Sequence, residues 1–194
     1  MNSTQLKAIE AEISRCLDTD FSIDDCTDIH GGDINQSFRI SSRNQLFFLK
    51  SNRIGHLPLL KSEARSLTEI SRSGAIKVPS PICCGQTDSM VFLLLEFLDL
   101  SASRRNSAAL GQALADMHRQ SSEHFGWPEN NFIGHTPQQN PRKTDWVDFW
   151  RTDRLGFQAE LAAKNHCPGK TLDLIERVRQ VTAEFFKNYQ PAPA

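Results

Sequence analysis

The sequence predicts an α+β fold, with a small antiparallel sheet and its helices in the first half and a helical second half. Short apolar runs bounded by turn residues recur between positions 37 and 97, as strands do. One of them, Met90 to Leu95 (MVFLLL), is apolar without alternation, the pattern of a central strand buried on both faces. From Ser107 onward the apolar residues return at helical spacing.

In chain order, Leu6, Ile9, Ile13, Cys16 and Leu17 predict an amphipathic helix over 4–17. Residues 21–23 read as a short strand, and 26–30 as the approach to a tight turn at Gly31 and Gly32, where no side chain obstructs the backbone. Strands over 37–40 and 46–50, around a turn at 41–44, make a hairpin. A loop ending at Pro58 leads to a helix over 59–72, where Leu60, Ala64, Leu67 and Ser71 share an inward face and Glu63 sits beside it. Gly74 stops that helix, Pro79 and Pro81 keep the chain extended, and strands over 82–84 and 90–97 follow.

In the second half a helix over 107–120 carries Leu110, Leu114 and Met117 on one stripe. The stretch 125–142 mixes aromatic rings, amides, glycines and prolines and reads as an ordered loop. A further helix begins at Thr144 or Asp145, either of which suits an N-cap, and carries Trp146, Phe149 and Trp150. Asp148 and Asp153, five apart, fall off the same-face spacings of an α-helix and are not read as a carboxylate dyad for acid-base chemistry. The last helix, 171–187, presents Leu174, Val178, Val181 and Phe185 as an inward stripe.

Length and composition bound the function. With 194 residues and 21.9 kDa the chain suffices for one large or two small domains, and a domain of this size buries about 70% of its extended surface. A formal charge of -1 and a pI near 6.6 give no nucleic-acid footprint, and the pairs Arg104-Arg105 and Arg142-Lys143 read as solvated surface. Five cysteines, at 16, 26, 83, 84 and 167, show no metal-ligand spacing, which suggests reduced thiols; an oxidisable Cys83-Cys84 pair is the minor alternative. His118 and His124 lack metal-site spacing, and His30 reads as a turn residue. The N-terminus has no apolar signal core, and no apolar run approaches bilayer length. A soluble, cytoplasmic protein without membrane or nucleic-acid partners is therefore expected.

One constellation carries chemistry. A glycine turn (Gly31, Gly32), a lysine at the end of an apolar strand (Lys50) and a glutamate on the next helix (Glu63) stand in the order by which protein kinases hold the phosphates of ATP. Glu63 would fix the ammonium of Lys50, which would meet the phosphates as a point charge, so the two are expected to form an ion pair. Asn35 and Gln36 offer amide donors and Ser37 a hydroxyl, whereas Asp33 would repel phosphates unless it turns away or pairs. Each part alone has a plain reading: an ordinary turn, a lysine snorkelling from a buried strand, a charge on a solvated helix face. No G-K-[ST] and no G-x-G-x-x-G accompanies the glycines.

The segments G-G-D-I-N-Q-S-F (31–38), F-F-L-K (47–50), E-A (63–64), G-A-I-K-V-P (74–79), F-G-W-P-E-N-N-F-I-G-H-T-P-Q (125–138) and D-W-V-D-F-W (145–150) together resemble the fructosamine (ketosamine) kinase family. The resemblance runs from about Asp28 to about Tyr189, and N-N-F-I-G-x-T-P-Q is its most specific part. It implies a protein-kinase-like fold and ATP- and Mg²⁺-dependent phosphorylation of the sugar of a ketoamine, on a small molecule or a glycated protein. It further implies that Glu96, Phe97 and Leu98 form the hinge that meets adenine, although spacing alone supports equally well that they merely end a strand, and that Trp127, Asn130, Asn131, Phe132, Gly134 and Thr136 shape the acceptor side. Burial of Trp127 and Phe132 against the next helix is the equal alternative.

The family continues with a catalytic loop of the form H-G-D-L-W-x-G-N and a metal-binding aspartate, and no H-G-D occurs in these 194 residues. The expectation drawn from this is an N-terminal two-thirds of the family fold. It would comprise a complete small lobe (1–98) and an incomplete helical lobe (99–194), lacking a catalytic residue and metal ligands and inactive alone. An apolar face of Leu110, Leu114, Met117, Trp146, Phe149, Trp150, Val178 and Phe185 would then stay partly uncovered and promote self-association. The competing readings are a non-catalytic nucleotide-binding or interaction remnant and a phosphotransferase of the aminoglycoside or choline kinase type.

Overall fold

A computed structural model describes residues 1–32, 34–100 and 107–193. Asp33 and the Arg104-Arg105 pair, both weighed above, lie outside the described residues. The chain divides into two compact units, Met1–Met117 and His118–Ala194.

In the first unit, α1 (Ser3–Leu17) opens on a capping box in which Asn2 and Gln5 exchange side-chain and backbone hydrogen bonds. The sheet consists of β1 (Asp25–Ile29), β2 (Gln36–Ser42), β3 (Gln45–Arg53), β4 (Pro81–Gln86) and β5 (Met90–Glu96), in the order β1-β2-β3-β5-β4 and antiparallel throughout. Helix α2 (Leu57–Arg72) follows β3 and takes Pro58 into its first turn, where a missing N–H costs nothing. The β2–β3 turn is Arg43-Asn44, both with positive φ, as a two-residue hairpin turn requires.

The sheet is covered on both faces, which explains the unbroken apolar run of β5. Phe92 and Leu94 join Phe38, Ile40 and Leu49 beneath Ile9 and Ile13 of α1. Val91, Leu93 and Leu95 point the other way and pack with Leu60, Leu67 and Phe48 on the α2 side. On β3 the same alternation sends Leu49 toward α1 and leaves its neighbours Phe48 and Lys50 on the α2 face.

The strand expected at 21–23 is not formed. Phe21 is instead a buried anchor whose backbone exchanges hydrogen bonds with the Ser14 hydroxyl and whose ring meets Phe47 edge-on, 5.5 Å between centroids. The first strand lies further on, at β1, paired with β2.

Helix α3 (Ser107–His118) buries no residue; Leu110 and Leu114 are exposed. The second unit contains a short hairpin, β6 (Asn131–Ile133) and β7 (Thr136–Gln138), within the stretch expected as a loop. Asp145 caps α4 (Trp146–Asp148) by accepting from the Asp148 N–H at 2.7 Å. The chain then runs through a π-helical segment (Phe149–Gly156), α5 (Phe157–Lys164), α6 (Gly169–Val181) and a 3-10 turn (Thr182–Phe186). Phe125, Trp146, Phe149 and Phe186 form an aromatic cluster.

The stripe expected to face inward on the last helix does not. Leu174, Val178 and Val181 are each nearly half exposed and Phe185 is 73% exposed. Periodicity identifies an apolar face without specifying what covers it. Among the described residues no helix is long and apolar enough to cross a membrane.

Candidate functional site

Lys50 Nζ and Glu63 Oε1 form an ion pair, with both side chains about a quarter exposed (25% and 27%). The pair forms because Lys50 occupies the α2-facing register of β3, opposite Ser37 on β2 and Leu93 on β5, while Glu63 follows the buried Leu60 along α2. Partial withdrawal from water strengthens such a charge-assisted bond and fixes where the ammonium stands.

Beside the pair lies a cavity of about 520 Å³. It is lined by the apolar side chains of Phe48, Leu67, Pro79 and Leu95, by Lys50 and Glu63, and by Glu96, Phe97, Leu98, Asp99 and Leu100. A mainly apolar cavity with one cation in its lining suits a flat heterocycle joined to phosphates. The Glu96 carboxylate is turned to structural use. It accepts from the Ser80 N–H at 3.2 Å and pairs with Lys77 at 3.3 Å, which holds its pKa below the usual carboxylate range.

Gly31, Gly32, Asn35 and Ser37 do not line this cavity, although Ile29 at the end of β1 does. Gly31 has φ of 124°, a conformation that favours glycine, and an added Cβ there would meet nothing within 4 Å, so the turn is open to an approaching group. Asn52 of β3, overlooked in the sequence, secures the turn by donating to Asn35 Oδ1 at 2.8 Å and to the Ile34 carbonyl at 3.0 Å. The Asn35 amide N–H groups have no acceptor among the described residues.

Within the second unit, Trp127 and Asn131 line a separate cavity of about 400 Å³ with Phe125, Gln138, Asn140, Trp146, Phe149 and Arg154. Phe132 and Thr136 are half-buried in the hairpin, and Gly134 takes φ of 61° at its turn. The amide oxygens of Asn130 and Asn131 are spent inside the protein. Asn130 Oδ1 accepts from the Asn140 N–H at 2.8 Å, and Asn131 Oδ1 accepts from Gln138 Nε2 at 2.9 Å and Asn140 Nδ2 at 2.8 Å. Asn140 and Arg154 were not singled out from the sequence; the readable signal was I-G-H-T, a two-residue glycine turn between short extended runs.

Asp148 and Asp153 meet the same lysine, a shared face that their spacing on an α-helix does not predict. A segment bonded i→i+5 brings residues five apart closer to one face than an α-helix does, and Lys143 Nζ lies 2.7 Å from Asp148 Oδ2 and 3.0 Å from Asp153 Oδ2. The Lys143 hydrogen bond, followed by that of Thr152, holds the Asp148 pKa below its ordinary value. A carboxyl depressed on folding adds stability above its unfolded pKa of about 4, and that stability is lost as pH falls through the folded value. Asp148→Asn is therefore expected to flatten the fall in melting temperature between about pH 6 and pH 3; an unchanged slope in calorimetry would count against the clamp.

The sheet-and-helix first unit and the helical second part make an α+β, protein-kinase-like fold. The family profile described as Fructosamine kinase matches residues 5–194, and the chain belongs to that family. A "Probable ketoamine kinase" of Synechocystis sp. is 32% identical over 192 residues, covering 97% of this chain and 63% of that protein. A chloroplastic "Protein-ribulosamine 3-kinase" of Arabidopsis thaliana is 32% identical over 163 residues, 82% of this chain and 50% of that one. A crystal structure of a "Putative fructosamine-3-kinase" from Haemophilus somnus 129PT superposes with a TM-score of 0.83 at 23% identity, covering 97% of this chain and 63% of that one. The chain thus spans 63% of the length of the Synechocystis relative.

These matches correct the expectation of a truncated, catalytically incomplete remnant with an unfinished helical lobe. The family profile extends through α1 and on to residue 194, and the superposition takes in 97% of the chain, including its helical part. The missing H-G-D is a feature of these residues and supplies no ground for calling the protein inactive.

Family membership implies ATP and Mg²⁺. The cavity beside Lys50 combines apolar side chains with one ammonium group. Among the described residues no group of three or more His, Cys, Asp or Glu side chains could hold a metal, so no Mg²⁺ ligand is assigned here.

Proposed function

We propose that this protein takes part in ATP-dependent phosphorylation of the sugar of ketoamines, the fructosamine or ribulosamine adducts of amines. The Lys50–Glu63 ion pair in the lining of a mainly apolar cavity carries the reading. The adenine would lie along Glu96–Leu98 against Phe48 and Leu95. Lys50, held by Glu63, would neutralise the phosphates, and the Gly31-Gly32 turn with Asn35 and Ser37 would close over them with backbone and side-chain donors. Positioning and charge stabilisation are the main protein contributions to phosphoryl transfer. We assign 1–98 to the nucleotide and 99–194 to the acceptor side, where Trp127, Asn130, Asn131, Phe132, Gly134 and Thr136 frame the sugar.

The test is ADP release from the natural protein carrying these residues, with fructosyl-lysine, ribulosyl-lysine or a glycated protein as acceptor. Turnover on ketoamines and none on choline or an aminoglycoside is expected; the reverse preference would move the protein to the competing class of small-molecule phosphotransferase.

We place the protein in the cytoplasm and read the exposed Val178, Val181, Phe185 and Tyr189 as a self-association surface. Light scattering should show a mass that rises with concentration and falls back in a Val178→Glu/Phe185→Glu variant. A constant monomer mass would remove this proposal.

A further inference from the structure

The cavity of the second unit holds an imbalance of charge and hydrogen-bonding groups. Among the described residues its lining, which also includes Pro191 and Ala192, holds one cation, Arg154, and no carboxylate side chain. Arg154 Nη1 donates to the Gln139 carbonyl at 2.5 Å and to the Asp153 carbonyl at 3.4 Å, and Nη2 donates to Asn140 Oδ1 at 2.5 Å. The guanidinium also lies over the Phe149 ring, 4.3 Å from its centroid. A guanidinium has five N–H donors, so Nε–H and one Nη2–H find no acceptor among the described residues. The nearby Asp153 carboxylate is engaged by Lys143 at 3.0 Å.

The other polar groups lean the same way. Asn131 has spent its oxygen on Gln138 and Asn140, which leaves its Nδ2 donor without a partner among the described residues. Trp127, also in the lining, brings a ring N–H with no described acceptor. Gln138 Oε1 is the counterweight, an unspent acceptor. Burial makes the guanidinium costlier to keep charged, lowering its pKa, and a bound anion would offset that cost. Nε and Nη2 share one edge of the guanidinium, the edge that takes both oxygens of a carboxylate side by side. Aromatic faces at Phe125, Trp127 and Phe149 would cover the apolar body attached to such a group.

We propose that this cavity binds the carboxylate of the amino-acid part of a ketoamine acceptor, with Arg154 as the specificity-determining residue. The proposal rests on the ketoamine reading above and sharpens it: adducts of amino acids are preferred over adducts of simple amines.

Calorimetric titration of the natural protein with Nε-fructosyl-lysine and with the matched fructosyl adduct of 1,5-diaminopentane, which lacks only the carboxylate, tests it. The carboxylated adduct should bind about tenfold more tightly, as loss of a charged hydrogen bond implies. Arg154→Gln should erase that preference while leaving the affinity for the diamine adduct in place, and Arg154→Lys should restore part of it. Equal affinities in the unaltered protein, or an Arg154→Gln variant that weakens both adducts alike, overturn the carboxylate site and leave the ketoamine reading standing. Failure of both adducts to bind overturns the two together. Inorganic phosphate that binds in an Arg154-dependent way while the two adducts remain indistinguishable makes this a phosphate site, and the carboxylate assignment falls.

Discussion

Replacing Lys50 by methionine is expected to weaken ATP binding by about a hundredfold, the upper scale of a hydrogen bond involving a charged group. The ammonium is fixed between β3 and α2 by Glu63, so little has to be reorganised when phosphates arrive. Methionine keeps most of the length and the apolar character of the lysine stem while removing the ammonium with its charge and donors. Glu63→Gln should cost less, about tenfold, because Lys50 keeps its charge and loses its tether. Titration with a fluorescent ATP analogue, alongside circular-dichroism melting to show that both variants remain folded, measures the effect. Unchanged affinity in Lys50→Met would sink the clamp, and the nucleotide assignment of the cavity with it.

The first unit was largely legible because its signals are local. Met90 to Leu95 announced a strand covered on both faces, and α1 and α2 provide the covers. Lys50 and Glu63 could be paired on paper because one closes an apolar strand and the other stands beside the apolar face of the following helix. What stayed hidden depends on partners distant in sequence or on backbone departures. Phe21 has the composition of a strand residue, yet it is held by Ser14 and Phe47. Asp148 and Asp153 converge on Lys143 only because the intervening helix is bonded i→i+5, and no residue type announces such a segment. Arg154 and Asn140 were invisible as site residues, since their place in a cavity follows from the β6–β7 hairpin folding back toward the π-helical segment. The absent H-G-D motif led to an inference about completeness that the family match does not support.

The largest loss of stability in the first unit is expected from Phe92→Ala, about 3–5 kcal/mol, because the ring is fully buried and its removal leaves a cavity between sheet and α1. The sheet has made room for this ring across the β4–β5 pair. Gly85 stands opposite Phe92, and a Cβ added there would lie 2.7 Å from Phe92 Cζ and 2.9 Å from Cε1. Gly85 has no positive φ, so alanine brings no backbone strain, and its cost comes from the collision alone. Gly85→Ala should therefore destabilise by about 1–3 kcal/mol while Phe92 is present, as overpacking does. Once the ring is gone, the added methyl should cost little or recover part of the loss, since it enters the space the ring vacated. Two residues sharing one space give a non-additive cycle. All three tryptophans, Trp127, Trp146 and Trp150, lie in the second unit, so fluorescence alone would not report on this core. Urea titration followed by far-ultraviolet circular dichroism, with amide exchange read on β3 and β5, supplies the four stabilities of the cycle. If Gly85→Ala costs as much without the ring as with it, the contact is not what holds position 85 to glycine, and the packing argument for β4 against β5 fails.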